Sequence, residues 1–134
     1  MDYYQLSDEP MQAAKINKDQ GLYRMSVCMS TLAIDVLLKS VLHRIAPESD
    51  LMLGHNHPGI VAKIETKYPS TNEVRHATKL SRKYFKDSRY SNTENLPVFN
   101  EMLASDFLEY VAIIKNYVDV TCRASLEDLQ EKYK

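Results

Sequence analysis

The sequence predicts an all-α protein of about five helices, two of them long. Apolar side chains recur at steps of three and four residues through most of the chain, which is the spacing of one helix face. The 134 residues include only 3 Gly and 5 Pro, too few for a turn-rich β protein. This length fits one domain over 1–134, with a core over about 5–122 and a charged tail over 123–134. A weak capping box at Ser125 predicts that the tail forms a separate short helix that frays.

Two helices are predicted in the first third of the chain. The first extends over about 7–18 and is capped by Ser7 or Asp8, and Gly21 separates it from the second. The second extends over about 22–45 and is apolar on most sides. Such a helix is typical of a central position, packed by neighbouring helices or by a second copy of the protein.

Three further helices follow. A short one is predicted over about 58–67, with a narrow apolar face. The next extends over about 71–85 and is capped by Ser70 or Thr71. The second long helix opens at Pro97 and keeps one apolar face for about six turns.

The charge is distributed unevenly along the chain. The net charge of −1 argues against a surface built wholly for nucleic acid, but residues 63–93 carry eight basic and three acidic side chains, a local charge of +5. Four of the basic residues fall on one helix face and form a stripe that ends at an arginine-tyrosine loop: Arg75, Lys79, Arg82 and Lys86, then Arg89 and Tyr90. The stripe can neutralise phosphates and Tyr90 can stack on a base. The alternative is a solvated face that offsets the acidic remainder.

The chain is predicted to be cytoplasmic, with no membrane span. We find no apolar run of about 18 residues, and the first ten residues are acidic and polar, unlike a signal peptide. The two cysteines, Cys28 and Cys122, are far apart in sequence and predict reduced thiols. Cys28 lies in an apolar helix and is expected to be a small core residue.

Two polar constellations stand out. Gly54-His55-Asn56-His57-Pro58 contains a His-x-His pattern, which occurs in metal sites, but no second ligand group stands beside it, so we expect His55 or Asn56 to cap the short helix. Asp35 and Lys39 have the spacing of an ion pair on one helix face, and they either pair structurally or face a ligand groove. No metal or other cofactor is predicted.

No common catalytic motif is present in the sequence. We find no G-x-S-x-G, P-loop, H-E-x-x-H or C-x-x-C pattern, and no two carboxylates are set apart as acid and base. The residues alone do not indicate an enzyme.

The order of these features resembles the HEPN family (higher eukaryote and prokaryote nucleotide-binding domains). The resemblance covers about residues 5–122 and is carried by GLYRMSVCMSTLAIDVLLKSVL, GHNHPGIVAKI and FKDSRYSN before a final long helix. An acidic residue four before a lysine matches Asp35 and Lys39, and the Gly-His-Asn loop matches Gly54-His55-Asn56. The family's Ser-Arg-Tyr-Pro loop matches residues 88–90, with Ser91 in place of the usual proline.

The resemblance implies an up-and-down helical bundle that forms a homodimer through its long helices and binds a nucleotide or RNA. It also implies a small nucleotidyltransferase as a protein partner, in a toxin–antitoxin or accessory system. Arg89 and Tyr90 would contact phosphate and base, while Arg82 and Lys86 would add positive field. The remaining residues of the implied site would bind the ligand or brace its groove: His55, Asp35 and Lys39.

The chain departs from the family's nuclease motif, in which an arginine is followed after four to six residues by a histidine. None of its arginines has a histidine at that spacing, and Arg75 and His76 are adjacent. We therefore expect a binding module and no catalytic residue. Two alternatives remain open: a metal-independent ribonuclease toxin, in which His55 and Arg89 would have to converge, and a purely structural dimerisation domain.

Overall fold

The computed structural model describes residues 3–89 and 98–133 of the chain. These residues form α-helices and one 3-10 turn, with no β-strand among them. The helices are α1 (Tyr3–Leu6), α2 (Asp8–Asp19), α3 (Tyr23–Ile45), α4 (His57–Glu65), α5 (Asn72–Asp87) and α6 (Glu101–Lys132), and the 3-10 turn is Asp50–Leu53. The predicted all-α class with two long helices, here α3 and α6, is confirmed.

Successive major helices run in opposite directions. A tight turn at Gly21, whose φ of 76° suits glycine, reverses the chain between α2 and α3. Arg24 at the start of α3 donates to the carbonyl of Ser88 just beyond the end of α5. Phe107 near the start of α6 packs edge-on against Tyr84 near the end of α5. The order α2, α3, α5, α6 is therefore an up-and-down bundle, as the resemblance implied.

Helix α3 is the central element of the core. It packs against α2, α4, α5 and α6, which explains why it is apolar on most sides. Apolar side chains with no exposed surface come from all five of these helices: Ala14 on α2, Val27, Ala33, Ile34, Leu37, Leu38 and Leu42 on α3, Ile60 and Ile64 on α4, Ala77 on α5, and Ala104, Phe107, Ile114 and Val118 on α6. Truncating one such leucine to alanine typically costs about 2–5 kcal/mol.

The composition of α3 corrects one expectation. By length and hydropathy alone, Tyr23–Ile45 could cross a membrane, although we expected no segment to qualify. In the structure, 78% of its most apolar window is buried inside the bundle, which is the behaviour of a core helix in a soluble-type fold.

The helix ends agree with the predicted caps in part. Thr71 caps α5, because its hydroxyl accepts from the Val74 backbone N–H at 3.2 Å. Ser7 does not cap α2; its hydroxyl donates to the Tyr4 carbonyl, and the first residues form the additional short helix α1. The predicted separate tail helix is wrong. Helix α6 continues through Ser125 to Lys132, since the sequence after Pro97 contains no glycine or proline to interrupt it.

Candidate functional site

The Asp35 carboxylate lies at the centre of a polar cluster on one side of α3. Its Oδ1 accepts hydrogen bonds from His57 Nε2 at 2.9 Å and from His55 Nδ1 at 3.0 Å. Its Oδ2 is 3.0 Å from Lys39 Nζ, so the predicted pairing of these two residues is present. Asp35 is only 4% exposed, and three donors satisfy a charge that would otherwise be costly to bury.

These hydrogen bonds fix the charge states of the cluster. Burial alone would raise the pKa of Asp35, but hydrogen bonds from His57, His55 and Lys39 outweigh it and lower the pKa to about 2. Burial lowers the pKa of His57, so this imidazole is neutral at neutral pH. Since a carboxylate only accepts, His57 donates its Nε2–H to Asp35, and its Nδ1 accepts from the Ser81 hydroxyl at 2.8 Å.

Asp35, His57 and Ser81 are bonded in the order of a hydrolytic triad, but they are inaccessible to substrate. Both His57 and Ser81 are 0% exposed. A nucleophilic hydroxyl must reach the carbon or phosphorus that it attacks. The three residues therefore tie α3, α4 and α5 together and do not form an active site.

The two histidines at the start of α4 bond the same Asp35 oxygen but differ in their exposure to solvent. Asn56 caps α4, as predicted, because its Oδ1 accepts from the Gly59 N–H at 3.1 Å. A Cβ at Gly59 would come within 2.5 Å of the Asn56 side chain, so glycine is needed for this cap. With α4 anchored in this way, His57 is wholly buried while the His55 side chain stays 49% exposed.

His55 is the accessible member of the cluster. Its Nδ1 is occupied by Asp35, which leaves Nε2 without an intramolecular partner among the described residues. Its ring stacks on Phe85 of α5 with the centroids 4.0 Å apart and 22° between the planes. Asp35 and Phe85 together fix the orientation of His55, with one ring nitrogen free for a ligand.

Arg89 approaches the same phenylalanine. Its guanidinium carbon lies 3.7 Å from the Phe85 ring centre. One terminal nitrogen donates to Thr31 Oγ1 at 2.9 Å and to the Phe85 carbonyl at 2.7 Å, and the other donates to the Cys28 carbonyl at 3.1 Å. Of the five N–H groups of a guanidinium, two thus remain without an acceptor in the described part of the chain. His55 and Arg89 therefore both contact Phe85, on its two faces, with the ring between them.

Two further cationic side chains are close to Phe85 along α5. Arg82 and Lys86 lie three residues before and one residue after Phe85 on α5, and both are exposed. Neither forms an ion pair with a described residue, whereas Arg75 farther along the stripe pairs with Glu65 at 2.9 Å. Of the predicted site residues, the structure thus places His55 and Arg89 against one ring, with Arg82 and Lys86 on the helix that carries this ring. Tyr90 lies outside the described residues.

Asp35 and Lys39 lie behind this surface and not on it. Their side chains are 6% and 10% exposed, and Asp35 is hydrogen-bonded to His55, which is itself accessible. Their predicted contact with a ligand stays a prediction. Of the two cysteines, Cys28 is buried, as expected for a core residue, and Cys122 is partly buried. In residues 3–89 and 98–133, no three His, Cys, Asp or Glu side chains are grouped so that they could hold a metal ion.

From the sequence, no role is predicted for Ser81 or Thr31, and Phe85 is only an apolar position at the end of the helix predicted over about 71–85. One signal was available. Ser81 falls on the buried face of α5 together with Val74, Ala77 and Thr78, and a hydroxyl on a buried face requires a polar partner. Nothing local indicated that this partner is His57.

Comparison with known proteins establishes the family. The model of the HEPN domain matches residues 2–121, nearly the whole chain. The chain belongs to the HEPN family. Its fold is similar to the crystal structure of TT1696 from Thermus thermophilus, with a TM-score of 0.78, 15% identity, and coverage of 89% of this chain and 94% of that one. It is also similar to ST0689, an archaeal HEPN homologue, with a TM-score of 0.69, 14% identity, and coverage of 87% and 92%. No curated protein matches the sequence.

Proposed function

We propose that this HEPN protein binds a nucleotide or RNA through the α5 surface, defined here as His55, Phe85, Arg82, Lys86 and Arg89. The observation that carries the proposal is the convergence of an outward imidazole and an arginine on one aromatic ring, beside two exposed cations with no acidic partner in the described residues. Unpaired cations beside such a ring are the groups that recognise phosphates in single-stranded nucleic acids.

Each member of the α5 surface has a distinct role in this proposal. Arg82 and Lys86 attract the phosphate backbone, and Arg89 donates its two remaining N–H groups to a phosphate oxygen. His55 Nε2 contacts a phosphate or a ribose hydroxyl. Asp35 acts through His55, since it holds the ring in place from behind. Tyr90 would add a stacking surface, as the resemblance implies.

Salt-dependent RNA binding tests the proposal. The probe is a fluorescein-labelled single-stranded RNA of about 12 nucleotides, titrated by fluorescence anisotropy in about 50 to 200 mM NaCl. The double variant Arg82→Gln/Lys86→Gln should bind at least tenfold more weakly. The slope of log K against log salt should also fall by about 1.4, since each lost phosphate contact to a single strand contributes about 0.7.

A matched control separates the α5 surface from net charge. The double variant Lys15→Gln/Lys132→Gln also removes two positive charges, from exposed positions on α2 and α6. We expect this control to change affinity less than twofold. Equal losses in the two double variants would show that binding is non-specific, and a wild type that binds neither this RNA nor ATP or GTP would refute the proposal.

A ribonuclease is the second candidate, favoured by the contact of both His55 and Arg89 with Phe85, which leaves them on either side of one ring. His55 Nε2 would take the proton of a ribose 2′-hydroxyl, whose oxygen then attacks the adjacent phosphorus. The bond from phosphorus to the 5′-oxygen would break, water would protonate that oxygen, and Arg89 would stabilise the charge on the phosphorane. The products would be a 2′,3′-cyclic phosphate and a 5′-hydroxyl.

Incubation with total RNA in EDTA decides between binding and cleavage. Cleavage that is lost in His55→Ala and leaves cyclic phosphate ends would support the ribonuclease. Intact RNA after incubation with a wild type that binds RNA would leave the binding module as the function. His43→Ala is the control, because His43 is an exposed histidine at the far end of α3.

We also propose a homodimer that works with a small nucleotidyltransferase in the cytoplasm, as a toxin–antitoxin or accessory pair. HEPN membership supports this proposal. Exposed apolar side chains on α6 offer surface for a partner: Met102, Val120, Leu126 and Leu129. Light scattering should give twice the chain mass of 15.5 kDa, and a monomer would refute the dimer. Co-purification with the product of a neighbouring nucleotidyltransferase gene tests the partner.

A further inference from the structure

A cavity of about 740 Å³ opens beside the α5 surface, between the start of α3 and the end of α5. Its volume lies in the range of small-ligand sites. Arg89 lines this cavity and also contacts Phe85, so the cavity and the α5 surface share one residue. The mechanisms considered above leave the cavity unused.

The polar groups that line the cavity keep unused hydrogen-bonding capacity. Arg24 donates its Nε–H to the Ser88 carbonyl, which leaves the four N–H groups of its terminal nitrogens without an acceptor in the described residues. Asn17 donates from Nδ2 to the Ala13 carbonyl, and its own side-chain carbonyl oxygen receives no donor there. The hydroxyl of Ser88, a residue only 4% exposed, has no hydrogen-bond partner within residues 3–89 and 98–133. A buried hydroxyl without a partner is unusual and points to a missing polar group.

The rest of the lining is apolar and aromatic. Leu22 and Met25 are 51% and 48% exposed. Because they are only half-buried in the fold, they contribute little to folding and leave apolar surface in the cavity. The half-buried rings of Tyr23 and Phe99 also line the cavity. A lining that combines apolar and aromatic side chains with one amide and two guanidinium groups matches the chemistry of a nucleobase, which has two apolar faces and a polar rim.

From this arrangement we infer that the cavity binds one unpaired base of a single-stranded RNA whose phosphates follow the α5 surface. The inference rests on the proposed function and deepens it, since it identifies the ligand as single-stranded and extended. Arg89 links the two parts, because it lies where the phosphate of the inserted base would enter. Arg24 then contacts the base edge or its phosphate, and Asn17 accepts from an amino or imino group of the base.

Two probes of equal charge test the base pocket by fluorescence anisotropy. One is fluorescein-labelled hexauridine, and the other is an abasic ribose-phosphate chain of the same length. We expect the intact RNA to bind about tenfold to a hundredfold more tightly, the range for stacking of one base. We also expect Arg24→Gln to weaken binding of the intact RNA about tenfold. The control Arg44→Gln, at an exposed arginine at the opposite end of α3, should have less than a twofold effect.

The outcomes separate this inference from the proposed function. If both probes bind equally, or if Arg24→Gln behaves like Arg44→Gln, the base pocket is refuted. The α5 surface still stands in either case, provided that Arg82→Gln/Lys86→Gln weakens binding. If the wild type binds neither intact RNA nor ATP or GTP, both proposals fail. The melting temperature of each variant is measured by circular dichroism. A value equal to that of the wild type confirms that a loss of binding is not a loss of fold.

Discussion

Replacing Asp35 by asparagine tests the central claim about the polar cluster, that its carboxylate is ionised and buried. Asparagine keeps the shape of the side chain but removes the charge. Its amide N–H₂ would face Lys39 or one of the histidines, all of which donate to the carboxylate in the wild type. The variant therefore leaves a buried lysine charge without its partner.

Two estimates give a lower and an upper bound for this cost. The pKa of Asp35 falls from 3.8 to about 2 on folding, which corresponds to about 2 kcal/mol at about 1.4 kcal/mol per pKa unit. Breaking a buried ion pair by removing one partner costs about 3–5 kcal/mol. We expect Asp35→Asn to lower the free energy of unfolding by about 3 kcal/mol. For a domain of this size, the melting temperature should fall by about 10 °C.

Urea unfolding followed by circular dichroism at about pH 7 measures this loss. Asp119→Asn is the matched control, because Asp119 also pairs with a lysine four residues away, Lys115, at 3.2 Å. That pair is more exposed, with both side chains over 30% accessible, and it should contribute less than about 1 kcal/mol. If Asp35→Asn costs no more than Asp119→Asn, Asp35 is not the buried charged centre that the structure describes.

Three further predictions concern pH, a buried acceptor and a turn. Because folding lowers the pKa of His57, the unfolded chain takes up a proton at this residue first as the pH falls, so stability should decrease below about pH 6.5. Stability should decrease further below about pH 3.8, because folding also lowers the pKa of Asp35, to about 2. Urea midpoints that stay constant between about pH 7 and pH 4 would contradict this. Ser81→Ala leaves His57 Nδ1 buried without a donor and should cost about 1–3 kcal/mol, measured by the same unfolding experiment; a loss within error of zero would show that the hydrogen bond contributes nothing. Gly21→Ala should lower the free energy of unfolding by about 1 kcal/mol, because the φ of Gly21 is +76°. The control Gly54→Ala should be nearly neutral, because Gly54 has an extended φ of −119° and open space around it. Equal losses in the two variants would contradict the strain at Gly21.

The sequence was sufficient for the elements and for part of the site because both depend on local patterns. Apolar spacing placed α3 and α6, a cap at Ser70 or Thr71 placed the start of α5, and the four-residue spacing of Asp35 and Lys39 indicated that the two could pair. Local patterns failed where the same residues fit both the start and the interior of a helix. The capping box at Ser125 would serve a helix start, but an uninterrupted helix accommodates the same residues.

The periodicity of this chain determined which residues face the core, and its charge pattern determined that α5 carries the basic stripe. Only the tertiary structure decided that Asp35 binds both histidines, that His57 is buried while His55 is accessible, and that His55 and Arg89 both contact Phe85. The reason is physical. Helix spacing and capping are set by residues within about four positions of each other, whereas burial, pKa and the meeting of distant side chains depend on how whole helices pack.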